Sequence, residues 1–225
     1  MTMKRVVTPE LLDGDALSPQ EIAIGLDDLR MLNRRFGGVR AMSSLLRRVA
    51  QKRGLREILW LDVGGASGYV VTDVQQALAN SGITLHPVIL DRAASHLGGA
   101  WPSICGDAMA LPFRNASFDV VSCSLFAHHL EPEELTTFAQ EALRVARHAL
   151  LIDDLVRHPL HFALAIAGRA IYRSRLTRHD APASVRRAYT VDEMHAILQP
   201  TQAALEFTRS FLFRMGAVAW NENGA

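Results

Sequence analysis

The sequence has little of what would mark a specialised class. Two of its 225 residues are cysteine, Cys105 and Cys123, with no Cys-x-x-Cys pair and no histidine-rich neighbourhood. That leaves neither a disulfide framework nor a zinc-finger spacing, and no bound metal is expected. Charge of either sign is not in excess: 24 Lys and Arg against 23 Asp and Glu give a net charge of +1. Without a basic field there is no argument for a nucleic-acid partner. No apolar run approaches the roughly 20 residues that cross a bilayer, and Met1 to Leu17 is too polar for a signal peptide. A cytoplasmic chain without an integral membrane segment, monomeric or homodimeric, is expected. Repeats and low-complexity stretches are missing too. What is present is 49% hydrophobic and 21% charged residues, the composition of a globular chain long enough to bury a full core.

Helical and strand signals then fall in a definite order. Ser18 can cap a helix over 19–36, with Pro19 at its first position, Glu21 three residues after the cap, and Ile22, Leu26, Leu29 and Leu32 at helical spacing. Gly37-Gly38 ends it, and a second, basic helix over about 39–53 runs to Gly54. Strands follow near 57–62, 86–90, 102–105, 118–124 and 147–153, with helices between them, among them 69–80 and 131–145. Such alternation builds βαβ units, hence a parallel sheet with helices on both faces.

The pattern breaks after Asp154. Residues 155–189 read as a lid-like insert with a helical apolar part (Leu160, Phe162, Leu164, Ile166, Ile171) and a basic, loop-like tail from Arg173 to Arg187. Thr190 and Glu193 form a capping box for one more helix, and runs at about 204–208 and 211–219 make an antiparallel hairpin. The expected division is an N-terminal helical cap over 1–54 and a larger domain over 55–225.

The most informative stretch is Ile58 to Tyr69. An apolar strand ends in Asp62 and then in Gly64-Gly65-Ala66-Ser67-Gly68, directly before a helix. A turn that lets a ligand touch backbone needs small residues. A phosphate cradle would not want a fixed anion beside it, whereas Asp62 suits a ligand with positive charge and hydroxyls, such as S-adenosylmethionine. The dinucleotide fingerprint Gly-x-Gly-x-x-Gly fails in register: from Gly64 it meets Ala66 and Tyr69, from Gly65 it meets Ser67 and Val70.

With the acid–glycine turn, the alternation and the final hairpin, the chain resembles class I S-adenosylmethionine-dependent methyltransferases over about residues 55–220. The resemblance implies a three-layer, Rossmann-like α/β fold with a seven-stranded, mostly parallel sheet and an antiparallel last strand. The family pattern places glycines two, four and six residues after the acid; Asp62, Gly64 and Gly68 match, and Ala66 replaces the middle glycine. Val88-Ile89-Leu90-Asp91 resembles the ribose motif, which implies a ribose role for Asp91, with Arg92 beside it. Cys105-Gly106-Asp107-Ala108 resembles the adenine motif, with Asp107 toward the amino group and the Ala108 backbone toward a ring nitrogen. Asp119, in Ser117 to Val121, is structural in such proteins. Pro9-Glu10-Leu11-Leu12-Asp13 and Asn33-Arg34 before the glycine pair are similar to small bacterial methyltransferases of secondary metabolism. In these the first helices fold over the donor and wall the acceptor pocket, and a phenol or hydroquinone acceptor is implied.

His128 and His129, just past the fourth strand, are the candidate bases for a phenolic proton, with His128 preferred. Ser124 and Phe126 are expected to line the donor pocket. In the insert, the set His158, His161, Arg178, His179, Asp180, Arg186, Arg187 and Tyr189 could orient an acceptor, with His158, His179, Arg186 and Tyr189 the named candidates for contact. Arg144 and Arg147 are expected on a solvent face, and Arg214 in the hairpin. The base-methylating motif Asn/Asp-Pro-Pro-Tyr is absent, and Ser124-Leu125-Phe126-Ala127 stands in its place. The rival reading is a non-catalytic accessory protein that binds S-adenosylmethionine.

Overall fold

A computed structural model describes residues 3–12, 14, 17–210 and 212–222; Asp13 and Phe211 lie outside these. The chain opens with α1 (Pro19–Arg35) and α2 (Gly38–Arg53). Then come β1 (Glu57–Val63), α3 (Tyr69–Leu78), β2 (Thr84–Asp91), β3 (Ser103–Cys105), β4 (Phe118–Ser124), α4 (Pro132–Val145) and β5 (Ala146–Leu155). Three helices follow, α5 (Pro159–Ala167), α6 (Arg175–Arg187) and α7 (Val191–Leu198), before the hairpin of β6 (Ala204–Ser210) and β7 (Arg214–Trp220). The capping boxes at Ser18/Glu21 and Thr190/Glu193 both form, each side chain bonding the other's backbone N–H.

The seven strands run in the order β3-β2-β1-β4-β5-β7-β6. β1 to β5 are parallel, and β7 is antiparallel to both β5 and β6. This is the sheet the resemblance implies. Strand order reverses between β1 and β4, and at such a switch point the connections leave in opposite directions and open a crevice at the strands' carboxyl ends.

Each face of the sheet has its own core. On one, α2 and α3 bury Met42, Leu45, Leu46, Val71 and Val74 against Trp60, Val120, Leu151 and Trp220. On the other, α4 and α7 bury Leu135, Phe138, Met194 and Leu198 against Leu61, Val121, Leu150 and Ala217. Strands covered on both faces must be apolar at their centres, as Val120-Val121 of β4 and Ala149 to Ile152 of β5 are. α2 therefore packs on the sheet itself, while α1 covers the crevice with α5 and α6.

The basic, loop-like tail of the insert is a correction: residues 175–187 form α6. Ser174 caps it by accepting from the Leu176 N–H at 3.1 Å. Pro182, inside the helix, leaves the carbonyl of Arg178 without its i+4 donor. Arg169 Nε supplies that donor from outside, at 2.9 Å. The buried face of α6 carries the polar residues Thr177, Asp180 and Ser184, and the last two bond to residues 10–12.

Candidate active site

At the end of β1 the turn is built as a tight backbone loop. Gly64 has φ 71° and Gly68 has φ 72°, the left-handed region that favours glycine. A Cβ on Gly64 would stand 2.7 Å from the Phe126 ring, and one on Gly68 2.3 Å from Ile89. Ala66 also sits at positive φ, 46°, so the alanine in place of the family's glycine carries backbone strain. Asp62 is 2% exposed and accepts from Ser122 Oγ at 2.6 Å, and Ser122 accepts from Trp60 Nε1 at 2.7 Å. Burial pushes its carboxyl up to about 7; Ser122 pulls down, and Asp91 and Asp153 push further up.

Asp91, at the end of β2, accepts from the Ala66 N–H at 3.0 Å and the Ala93 N–H at 2.9 Å, which ties the turn of β1 to that of β2. Asp107 is exposed, with Oδ1 receiving the Met109 N–H at 2.9 Å, and Ala108 beside it is buried. Ser124 at the end of β4 donates to Asp153 at 2.9 Å. Asp153 is also gripped by Arg214, whose Nη2 reaches Asn33 of α1 at 2.9 Å. Arg214 is thus a buried strut between sheet and cap, more than a hairpin residue.

A second polar centre forms where β4 and β5 end. The His128 ring is buried, with Nδ1 2.7 Å from Asp154 Oδ1 and its backbone N–H on Asp154 Oδ2 at 2.9 Å. Its Nε2 lies 3.4 Å from Glu10 Oε1 without an aligned hydrogen bond. Glu10 Oε2 lies 3.7 Å from His129 Nε2, and Ser184 Oγ donates to Glu10 Oε1 at 2.6 Å. Burial would lower the His128 imidazolium, but the Asp154 and Glu10 carboxylates outweigh it and raise it to about 10. Burial would raise Glu10, and the two histidines and Ser184 hold it at about 2.

The strand-end acids, the turn and this centre open into one cavity of about 1140 Å³. It is lined by Asp62, Gly64, Gly65, Ala66, Asp91, Arg92, Asp107, Ala108 and Ser124, and by His128 and His129. Gly68 stands behind the lining as the N-cap of α3. The four insert candidates do not line it. His158 caps α5 and stacks on Phe213, and His179 projects outward with Nδ1 2.8 Å from Asp180. Arg186 lies over the Phe162 ring, and Tyr189 is buried with its hydroxyl donating to the Leu130 carbonyl at 2.7 Å. The helical period of α6 explains this: Thr177, Asp180, Ala181, Ser184 and Val185 share the inward face, which excludes 179 and 186.

Asp154 and Ser184, which the sequence did not single out, belong here, as do Glu10 of the N-terminal motif and Asp180 of the insert set. Asp180 accepts from the Leu11 and Leu12 N–H groups at 2.8 and 3.0 Å, holding the segment that carries Glu10. That segment is also fixed by Arg5 to Glu131 at 2.7 Å, by the Val6 N–H to Arg186 O at 3.0 Å, and by Arg157 Nε to Met3 O at 2.7 Å. Arg144, expected at a solvent face, donates to the carbonyls of Leu111 and Phe113 and shapes the loop after β3. Asp119 accepts from the Leu59 N–H at 2.8 Å, a structural bond between β4 and β1.

Residues 61–149 match the family described as a methyltransferase domain. No curated protein matches the chain in sequence. Among solved structures, a plantazolicin methyltransferase in complex with S-adenosylhomocysteine is similar at 12% identity and TM-score 0.69, over 91% of each chain. An O-methyltransferase family 2 protein from Planctomyces limnophilus, in complex with apigenin, is similar at 16% identity and TM-score 0.60, over 92% of this chain and 63% of that one. Magnesium protoporphyrin IX methyltransferase from Synechocystis PCC 6803, with bound S-adenosylhomocysteine, is similar at 14% identity and TM-score 0.58, over 91% of this chain and all of that one. At these identities the likeness is one of fold. No helix among the described residues is long and apolar enough to cross a membrane. Residues 61–149 are thus a methyltransferase domain, set in a chain with the reversed sheet order and the acid-rimmed glycine turn of a Rossmann-like methyltransferase fold.

Proposed function

We propose that this enzyme methylates a hydroxyl of a small, hydrophobic phenol or hydroquinone, with its donor held along the ends of β1 to β4. The donor set fits the ligand's chemistry: buried Asp62 faces the ammonium end, Asp91 takes the ribose hydroxyls, and Asp107 and the Ala108 N–H meet the adenine. Ser124 closes the sulfur side. S-adenosylmethionine supplies a methyl group already activated on a sulfonium sulfur. The protein's part is therefore alignment and exclusion of water.

The observation that carries the acceptor assignment is the cavity's division of character. Its lining combines apolar side chains, Leu26 and Leu29 of α1, Leu164 of α5 and Phe213, with the polar cluster of Glu10, His128 and His129. An aromatic ring fits the first and its hydroxyl the second. A volume of about 1140 Å³ exceeds the roughly 300–1,000 Å³ usual for one ligand, so donor and acceptor fit together. His128 has Asp154 at one ring nitrogen and Glu10 near the other, which keeps the Glu10 carboxylate beside His129. The complex of a similarly folded enzyme with apigenin accords with a phenolic acceptor.

Calorimetric titration with S-adenosylhomocysteine, followed by methyl-transfer assays on alkyl-substituted phenols, hydroquinones, amines and carboxylic acids, tests this. Micromolar binding and turnover confined to the hydroxyl compounds are expected. Turnover of amines or carboxylic acids alone would overturn the acceptor class, and absence of binding would overturn the donor contacts.

A further inference from the structure

We propose that Glu10, His128 and His129 bind a divalent transition-metal ion, in the first instance zinc, at the acceptor end of the cavity. One ligand atom from each, a ring nitrogen of either histidine and a carboxylate oxygen, can be chosen so that all three lie within 4.8 Å of one another. The two nearest approaches are 3.4 and 3.7 Å. Zinc bonds of about 2.0–2.2 Å in tetrahedral array separate neighbouring ligand atoms by about 3.3–3.5 Å, so small side-chain shifts complete the site.

Without an ion the three groups form an ion-paired cluster, and a metal would take the place of the His128 proton. Glu10 sits between the two imidazoles and turns one oxygen to each. His128 Nε2 is fully buried, faces the cluster and has no aligned hydrogen-bond partner. Asp154 holds its Nδ1 at 2.7 Å, the carboxylate support that fixes a ligating histidine, and Ser184 orients the Glu10 carboxylate at 2.6 Å. Two buried carboxylates, Glu10 and Asp154, supply the negative charge that a divalent cation neutralises. Two histidines and one carboxylate leave coordination positions open toward the cavity. There the ion would take the acceptor's hydroxyl oxygen and ease loss of its proton, a clause that rests on the proposed acceptor. Metal binding itself does not depend on it.

The test uses metal-stripped protein titrated with zinc chloride by calorimetry and with cobalt chloride by visible absorption. One ion per chain is expected, with the intense cobalt bands of a low-coordinate site. Glu10→Gln and His129→Asn should each weaken binding at least about 10-fold, and Asp154→Asn about 10–100-fold. His86→Ala, a surface histidine on β2, should change nothing. Each variant is also titrated with S-adenosylhomocysteine, so that a lost metal site is told apart from a lost fold or a misassigned donor site. Wild-type protein that binds S-adenosylhomocysteine but no zinc, gives only the weak cobalt bands of an octahedral aquo ion, or binds zinc equally in Glu10→Gln and His129→Asn overturns the proposal.

Discussion

Arg214 holds Asp153 through two guanidinium nitrogens, Nε at 2.7 Å and Nη2 at 2.8 Å, with both side chains almost wholly out of solvent. The same Nη2 reaches Asn33, so the last strand, the fifth strand and the first helix meet at one cation. Removing that cation strands a carboxylate in the core. Arg214→Met should cost about 3–5 kcal/mol of stability, read as a lower urea midpoint. An unchanged midpoint would mean that the pair contributes no net stability.

Asp62 gives a pH dependence whose sign is fixed by the direction of its shift. Its folded-state pKa of about 7 lies above the unfolded value near 4, so the native state holds the extra proton between them. The stability this gives is complete below the unfolded pKa and is lost as pH rises through about 7. A cationic ligand prefers the ionised acid. S-adenosylhomocysteine affinity should therefore rise with pH up to about 7 and then level off, and Asp62→Asn should flatten that rise. A flat wild-type profile would remove Asp62 from the ammonium contact.

Asp91→Asn keeps the size of the side chain but loses the charge that would accept from both ribose hydroxyls. With charged hydrogen bonds worth about 1.5–3 kcal/mol each, S-adenosylhomocysteine affinity should fall about 10- to 100-fold. Calorimetry decides it, and equal affinities would refute the ribose assignment.

Ala66 is the one donor-turn residue other than glycine held at positive φ. Glycine there relieves a strain of about 1–2 kcal/mol and gives back about 0.4–1 kcal/mol through the freer unfolded chain. Ala66→Gly should raise stability by up to about 1.6 kcal/mol and leave donor affinity equal or higher. A lower thermal midpoint would show that the alanine methyl has a packing role.

Asp180→Ala removes the acceptor for the Leu11 and Leu12 N–H groups. Hydrogen exchange at these two amides should accelerate while the core strands keep their protection. Equal rates in both proteins would show that Asp180 does not hold the segment.

The parts of this fold that were legible are the local ones. Ser18 with Glu21, and Thr190 with Glu193, declare helix starts within four residues, and Asp62 and Asp91 stand at strand ends next to turns that only a ligand-binding edge requires. α6 was hidden because its stability is not local. Arg169 supplies from outside the donor that Pro182 lacks, and the inward face of α6 is polar because it meets residues 10–12. Taking this segment for a loop also misdirected attention to His179 and Arg186. His128 and His129 were visible as a pair, but Glu10 is 118 residues earlier, and no spacing rule joins positions so far apart. Only the folded chain shows that one carboxylate serves both rings.

The strap formed by residues 3–12 also sets an order of events in time. Its anchors, Glu131, Asp180 and Arg186, are separated from it by 126 to 180 positions. During synthesis these first residues leave the ribosome long before any of their partners exist. Contacts of such high sequence separation bear the largest loop-closure entropy and form late. The cavity's polar end therefore cannot mature until α6 has folded, and a nascent chain would acquire its donor edge before the carboxylate that completes the polar cluster.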